Sequence, residues 1–177
     1  MNDEELVEQI KLGNDNAAEE LIKRYYSSIL RYCTWHCSSL EKAEDLTQET
    51  FLKLFMNIPQ YDTGKRGSPQ KSFRLYLYTI AKHLCIDENR KMKVYSLENE
   101  ESIVSERNEI LQIENREDIK RLMSVLSSEQ REAIILRFGE QLRFKEIANI
   151  MGCNMRTAQS RVRKALKIMR KRQDYER

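Results

Sequence analysis

The chain has 177 residues, 33% of them charged and 40% hydrophobic, and its 31 Lys and Arg exceed its 28 Asp and Glu by three. This composition is typical of a well-solvated globular protein and argues against a disordered chain. No apolar run approaches the roughly 20 residues that cross a bilayer, and the acidic start MNDEELVEQIK is unlike a basic signal peptide. We therefore expect a cytoplasmic protein, and its two prolines and five glycines favour a mostly helical fold.

Apolar residues at three- and four-residue steps predict three helices in the first half of the chain. The first covers residues 17–33 and the second residues 41–56. Residues 57–72 contain both prolines and two of the glycines, which predicts a long loop. The third helix begins at Phe73 and continues to about Lys91.

The helical pattern ends near Met92 and returns at Ile119. Ser127 and Gln130 then have the spacing of a capping box, which predicts the start of a new helix, and two further helices follow. We expect an all-α fold with two small helical domains, residues 1–92 and 116–177, joined by an acidic flexible linker at 93–115.

Charge is strongly segregated along the chain. Residues 1–22 have a net charge of −6, residues 64–93 of +6, and residues 95–118 of −6. Residues 152–172 contain eight Lys or Arg and no acid. This arrangement predicts two contacts with a polyanion, separated by a segment that avoids it.

The last two predicted helices have the features of a helix-turn-helix. Gly152 can adopt the positive φ that ends one helix, Asn154 is a good N-cap for the next, and Ala148 is small enough for the helices to cross closely. Apolar spacing turns one face of the last helix inward: Ala158, Val162, Ala165, Leu166 and Met169. The opposite face is cationic and would fit the major groove: Arg156, Ser160, Arg163, Lys167 and Arg170. A solvated surface helix is the alternative, although such helices usually mix charges of both signs.

The third helix interleaves cations with aromatic rings in two neighbouring stripes. They are Lys71, Arg74, Tyr78 and Lys82, and Tyr76, Thr79, His83 and Asp87. Single-stranded nucleic acid needs this combination, because cations meet phosphates while unstacked bases lie on flat rings. The alternative is that the tyrosines are ordinary half-buried core residues.

The second helix presents acceptors and an amide on a face away from Phe51 and Phe55. The members of this face are Asp45, Gln48, Glu49 and Leu52. It would suit a basic helix of another protein, although solvation alone explains it almost as well.

Little in the sequence favours an enzyme or a cofactor. There is no Gly-rich phosphate loop, and neither histidine has a convincing set of catalytic partners. The four cysteines form no CxxC pair, so we expect reduced thiols. Cys33, His36 and Cys37 could share a helix face, but core packing is the preferred interpretation over a metal or redox site.

Three collinear segments resemble those of bacterial extracytoplasmic-function (ECF) sigma factors, a group of the sigma-70 family. They are AEDLTQETFLKLF, FRLYLYTIAKHLCIDENR, and LSSEQREAIILRF followed by FKEIANIMGCNMRTAQSRVRKA. In order, they are similar to the family's core-binding, minus-10-reading and minus-35-reading segments. The resemblance implies two domains, sigma-2-like and sigma-4-like, that bind core RNA polymerase and direct it to promoter DNA.

The resemblance also implies site residues and partners. Core polymerase would be contacted by Asp45, Leu46, Gln48, Glu49 and Lys53, with Asp45, Gln48 and Glu49 on the clamp of its β′ subunit. The β flap of the polymerase is a further implied partner. The opened minus-10 strand would meet Lys65, Arg66, Lys71, Arg74, Tyr76, Tyr78, Lys82 and His83. The minus-35 duplex would meet Arg143, Lys145, Arg156, Thr157, Gln159, Ser160, Arg161, Arg163, Lys164 and Lys167. A cognate anti-sigma factor is a further implied partner, and no cofactor or metal is implied.

Two differences from the family pattern lie in the minus-10 segment and one in the minus-35 segment. Tyr76 stands where the family usually has Trp, and His83 where it usually has Asn. Ala158 and Gln159 replace a common Val-Lys pair. A conventional helix-turn-helix regulator is the alternative class, and it would bind duplex DNA without polymerase.

Overall fold

The structure is a computed structural model, and it describes residues 1–62, 72–98 and 113–175. Within these ranges every regular element is helical, so the predicted all-α class is confirmed. The chain divides into two compact units, Met1–Glu106 and Arg107–Arg177. None of the helices in the described ranges is long and apolar enough to span a membrane.

The first unit contains four α-helices and a short 3-10 turn among its described residues. These are α1 (Asp3–Lys11), α2 (Asp15–His36), α3 (Leu40–Asn57), the 3-10 turn (Ile58–Gln60) and α4 (Phe73–Glu98). The helices predicted for 17–33, 41–56 and 73–91 are therefore confirmed. Helix α1 was not predicted, although its Asn2–Glu5 capping box is visible in the sequence: each residue's backbone N–H donates to the other's side chain, at 2.9 and 2.8 Å.

The core of the first unit lies where α2 meets the other helices. Helix α2 packs against α1, α3 and α4, and α3 also packs against α4. The largest side chains that are fully enclosed here include Leu21, Ile29, Tyr32, Leu54, Phe73, Leu77 and Tyr78. Burial of this much apolar surface is the main stabilisation available to helices that would be marginal alone.

The cysteine and histidine cluster of α2 belongs to this core. Cys33 is fully buried, and its Sγ lies 4.0 Å from Sγ of Cys85 on α4. The His36 ring packs against Tyr32, with 4.6 Å between ring centroids. The core-packing interpretation is therefore confirmed for Cys33.

Helix α4 extends further than the sequence pattern indicates. It continues past Lys91 to Glu98, into the segment predicted to be a linker, and α5 already begins at Ile113. The prediction of a linker over 93–115 is thus wrong for residues 93–98 and 113–115. Extending a formed helix is much easier than nucleating one, and Lys93, Leu97 and Glu98 are good helix formers. The rest of the predicted linker lies outside the described residues.

The second unit contains α5 (Ile113–Met123), α6 (Ser128–Ile134), a π turn (Ile135–Gly139), α7 (Phe144–Met151) and α8 (Met155–Tyr175). The predicted capping box is confirmed, since Gln130 donates its backbone N–H to Ser127 Oγ and accepts from the Ser127 N–H. Helix α8 packs against α5, α6 and α7. The core between them includes Ala133, Leu136, Leu142, Ile147, Ala148, Ala158, Val162 and Ala165.

Candidate nucleic-acid and protein interfaces

Helices α7 and α8 form the predicted helix-turn-helix. Gly152 has φ 63° and ψ 36°, and the Cys153 backbone N–H donates to the Ala148 carbonyl at 2.9 Å, which closes the C-terminus of α7. Asn154 Oδ1 accepts from the Thr157 backbone N–H at 2.7 Å and caps α8. Both local predictions, for Gly152 and for Asn154, are confirmed.

The inward face of α8 is narrower than its apolar spacing predicts. Ala158, Val162 and Ala165 are buried, but Leu166 is 40% exposed, so its predicted inward position is wrong. An α-helix turns by about 100° per residue, so two four-residue steps from Ala158 rotate Leu166 by about 80° away from it. Leu166 therefore lies at the edge of the apolar face.

All ten residues predicted to contact minus-35 DNA lie at least partly exposed on the second unit. Exposed are Arg143, Lys145, Arg156, Arg163, Lys164 and Lys167; partly exposed are Thr157, Gln159, Ser160 and Arg161. Arg161 differs from the others, because its Nη2 forms an ion pair with Glu129 Oε1 of α6 at 3.3 Å. Helix α8 has eight Lys or Arg and one acid, so its outer face is strongly cationic.

The residues of α4 that are predicted to contact minus-10 DNA differ in their exposure. His83 is exposed, and Arg74, Tyr76 and Lys82 are partly exposed. Tyr78 is fully buried and its ring meets Tyr32 edge-on at 5.6 Å, so its predicted contact with DNA is wrong. The Tyr78 ring packs against Tyr32 of α2, and burial of such a large ring stabilises the fold. Lys65, Arg66 and Lys71 lie outside the described residues.

Arg74 is engaged with the unit's own rings. Its guanidinium carbon lies 5.8 Å from the centre of the Tyr78 ring, within cation–π range. The Arg74 charge also acts on Tyr25, where it opposes the effects of burial and of the Asp3 hydrogen bond, which together raise the pKa of the Tyr25 hydroxyl well above its usual range. Arg74 therefore takes part in the packing of the first unit.

Tyr76 stacks on Tyr61, a residue that sequence reasoning did not single out. The ring centroids are 4.9 Å apart and the planes make an angle of 29°. Burial, followed by the charges of Glu4, Tyr76 and Asp3, raises the pKa of Tyr61 to about 12. Burial also raises the pKa of Tyr76. The two residues are far apart along the chain, so no local spacing could have revealed this pair.

The outer face of α3 presents the predicted polar residues together with apolar ones. Asp45, Gln48 and Glu49 are exposed, while Leu52 is 61% and Met56 70% exposed. Exposed large apolar side chains beside polar ones are typical of a surface that binds another protein. Met56 was not predicted, although it lies one helical step beyond Leu52.

Leu46 and Lys53, which are also predicted to contact polymerase, line a groove between α3 and α4. Leu46 is only 6% exposed and lies with Leu84 in the floor of a groove of roughly 300 Å³ between α3 and α4, so its prediction as a surface contact is wrong. Its side chain points toward α4 because it belongs to the buried stripe with Ala43 and Thr50. Lys53 lies on the rim and pairs with Glu49 at 3.3 Å.

An ion pair joins the two helices beside this groove. Lys42 Nζ of α3 lies 2.9 Å from Glu88 Oε1 of α4, and this hydrogen bond raises the pKa of the lysine. The Lys42 side chain is half exposed, so the pair contributes little to stability.

Comparison with known families gives two matches, in the order that the fold has them. The family model described as Sigma-70 region 2 matches residues 21–93, and that described as Sigma-70, region 4 matches residues 116–169. The first match covers most of α2, all of α3 and most of α4; the second begins within α5 and ends within α8.

Curated relatives match along most of the chain. The ECF RNA polymerase sigma factor SigW of Bacillus subtilis is 25% identical over 181 residues, covering 93% of each chain. The RNA polymerase sigma factor YlaC of the same organism is 30% identical over 148 residues, covering 79% of this chain and 82% of YlaC.

Solved structures share the fold. CnrH, solved in complex with the cytosolic domain of CnrY, is 18% identical with a TM-score of 0.76, and the match covers 99% of each chain. The sigma factor RpoE, solved in complex with the anti-sigma factor NepR from Bartonella quintana, is 22% identical with a TM-score of 0.74, covering 90% of this chain and 98% of RpoE.

The helix-turn-helix and the cationic α8 are the features of a DNA-binding protein. The relatives and the two family matches make the assignment specific: the chain belongs to the sigma-70 family, as an RNA polymerase sigma factor of the ECF group.

Proposed function

We propose that this sigma factor reads the minus-35 element as duplex through α8 and captures the minus-10 element as an opened single strand along α4. In this proposal residues 1–92 bind core polymerase and the minus-10 strand, residues 93–115 join the two parts, and residues 116–177 read the minus-35 element. The single observation that carries the proposal is the outer face of α8, which collects the exposed cations Arg156, Arg163, Lys164 and Lys167 behind a capped helix N-terminus.

The exposed residues of α7 and α8 divide into two proposed roles. Gln159, Ser160, Arg163 and Lys164 of α8 are proposed to reach base edges in the major groove, where Arg can bond two acceptors of guanine. Phosphate contacts are proposed for Arg143 and Lys145 at the start of α7 and for Thr157 and Arg161 of α8. Arg156 and Lys167 would add attraction that does not depend on sequence.

The exposed part of α4 supports the second half of the proposal. Tyr76 offers a flat ring, while Lys82 and His83 lie six and seven residues further along the helix. A strand that unstacks one base onto Tyr76 could place its phosphates near Lys82. Opening DNA costs stacking energy, and these contacts would offset part of that cost because they form only with the opened strand.

The outer face of α3 is the proposed docking surface for core polymerase. Asp45, Gln48 and Glu49 supply acceptors, and Leu52 and Met56 supply exposed apolar surface. Acidic and apolar groups side by side suit a basic, amphipathic helix such as a coiled coil of the clamp. The β flap and an anti-sigma factor are further proposed partners; the latter is supported by RpoE, whose structure was solved with an anti-sigma factor.

Transcription from genomic DNA tests the proposal. The purified chain and bacterial core polymerase are incubated with fragments of the source genome, and transcript starts are mapped. We expect discrete start sites that share two sequence elements, with permanganate-reactive thymines in the element nearer the start. Absence of specific starts would overturn the proposal, and so would equally tight, specific duplex binding without core polymerase, which is the behaviour of a conventional regulator.

A further inference from the structure

Tyr61 lies directly after the 3-10 turn and is its C-cap residue. Its backbone N–H donates to the Ile58 carbonyl at 3.1 Å, and its side chain is only 4% exposed. It therefore cannot itself receive a base. One face of its ring is stacked with Tyr76, which is only partly buried.

A series of rings holds Tyr61 from behind. Phe73 meets Tyr61 edge-on, with centroids 6.2 Å apart and an interplanar angle of 87°, and Tyr25 lies 5.6 Å from Phe73. The Tyr25 hydroxyl donates to Asp3 of α1, which also pairs with Arg24 at 2.6 Å. Tyr61 is thus fixed by contacts that reach α1, α2 and α4, so it has little freedom to move when a base stacks on Tyr76.

The stack with Tyr61 restricts the Tyr76 side chain before any strand arrives. A side chain that is already ordered loses less conformational freedom on binding, so the same stacking contact gives a higher affinity. The carboxylates of Asp3 and Glu4 lie near enough to Tyr61 to influence its hydroxyl.

We infer that Tyr61 is a positioning residue of the minus-10 site: its buried ring backs Tyr76 and holds it where one unstacked base of the opened strand completes a three-layer stack. This inference rests on the proposed function, because it requires Tyr76 to receive the minus-10 strand. The ligand is a single-stranded nucleobase, and base identity matters less than the presence of a flat ring.

Abasic scanning tests the inference with the holoenzyme. The probe is a fluorescent fork-junction DNA, taken from a mapped start site, whose minus-10 region is single-stranded and lacks one base at a time. For the unchanged protein we expect one position at which removal of the base weakens binding about 5- to 150-fold, the range for losing one stacked base. Tyr61→Phe retains the ring and should keep that loss in full.

Tyr61→Leu and Tyr61→Met remove the ring and fill much of its space. We expect the loss at that one position to fall to about twofold, because the intact probe then binds almost as weakly as the abasic one. Tyr76→Ala should have the same effect. A general structural defect would weaken binding of every probe alike, so the position-specific effect separates positioning from folding.

Each other outcome has one meaning. If both Tyr61→Leu and Tyr61→Met keep the full position-specific loss, Tyr61 does not position Tyr76 and the inference is overturned. If the unchanged holoenzyme shows no sensitive position at all, the proposed capture of the minus-10 strand fails instead. Affinity for core polymerase and the thermal midpoint are measured for each variant, and where Tyr61→Leu does not fold, Tyr61→Met decides.

Discussion

Arg161 of α8 and Glu129 of α6 form an ion pair within the DNA-binding unit, with 3.3 Å between Nη2 and Oε1. The arginine side chain is 24% exposed and the glutamate side chain 64% exposed. A pair this accessible is worth at most about 1 kcal/mol. The pair should also weaken DNA binding, because the glutamate competes with DNA phosphate for the arginine and repels the phosphate.

Glu129→Gln should therefore strengthen binding to a minus-35 duplex. We expect the affinity to rise about 2- to 5-fold, the range set by a surface ion pair. If the freed Arg161 neutralises one more phosphate, the slope of log affinity against log salt should steepen by about 0.9. Anisotropy of a labelled duplex across a salt series, with the holoenzyme, measures both quantities.

Glu117→Gln is the matched control, since it removes the same charge from an exposed position of α5. It should leave the salt slope unchanged. Equal effects of the two substitutions would mean that only net charge matters and that Arg161 makes no additional phosphate contact.

Arg163→Ala and Lys167→Ala separate base reading from attraction to the backbone. Both side chains are exposed on the outer face of α8, one helical step apart. Arg163→Ala should cost about 1 to 3 kcal/mol and relax preference at one base pair. Lys167→Ala should weaken all sequences alike. Binding to a set of duplexes with single base-pair changes distinguishes them, and uniform weakening by Arg163→Ala would contradict its proposed role.

The outer face of α3 predicts a different pair of effects. Asp45→Ala combined with Gln48→Ala, or Leu52→Ala combined with Met56→Ala, should reduce affinity for core polymerase. Binding of the minus-35 duplex by the chain alone should be unchanged. Glu19→Ala, on an exposed part of α2, is the control and should affect neither. Loss of both activities in a double variant would indicate misfolding rather than a lost contact.

Local signals in the sequence accounted for much of the second unit. Gly152, Asn154 and the Ser127–Gln130 capping box each act within a few residues, so their geometry could be predicted from spacing alone. The helical class followed from period and composition in the same way. Helix ends were less predictable, as α4 shows, because extension depends on neighbouring turns rather than on an apolar face.

The wrong predictions of exposed side chains arose where contacts between residues distant in sequence decide burial. The stripes of Tyr76 and Tyr78 are equally amphipathic, and only the packing of α4 against both α2 and α3 decides that Tyr78 is buried. Leu46 is buried and Leu52 is exposed for the same reason, because the packing of α3 decides which of its faces is covered. The Tyr61–Tyr76 stack joins the 3-10 turn to α4, so no periodic pattern within one helix contains it. The family resemblance supplied roles for residues, but burial had to come from the tertiary structure.

Gly152→Ala should destabilise the second unit without a steric clash. A Cβ at this position would meet nothing within 4 Å, so the cost comes from the φ of 63° alone. That cost is about 1 to 2 kcal/mol for a residue with a Cβ, and less for Asn. Urea unfolding followed by circular dichroism should rank glycine above asparagine and asparagine above alanine. Equal stability of all three would show that α7 ends in another conformation in solution.

Alkaline pH should destabilise the first unit through Tyr61. Burial stabilises the neutral hydroxyl and raises its pKa to about 12, whereas in an unfolded chain it is about 10. Its contribution is therefore complete below pH 10, and it is lost as the pH rises from about 10 to about 12, because the unfolded chain releases the proton first. The expected slope of the unfolding free energy is at most about 1.4 kcal/mol per pH unit.

Tyr61→Phe is the control, because it has no hydroxyl proton to release. Over this pH window its stability should therefore rise relative to that of the unchanged protein. Trp35, the chain's single tryptophan, lies within α2. Its fluorescence in a urea series at each pH therefore measures unfolding of this unit. Parallel loss of stability in both proteins would show that Tyr25, whose pKa is also raised, or Tyr76 carries the effect instead.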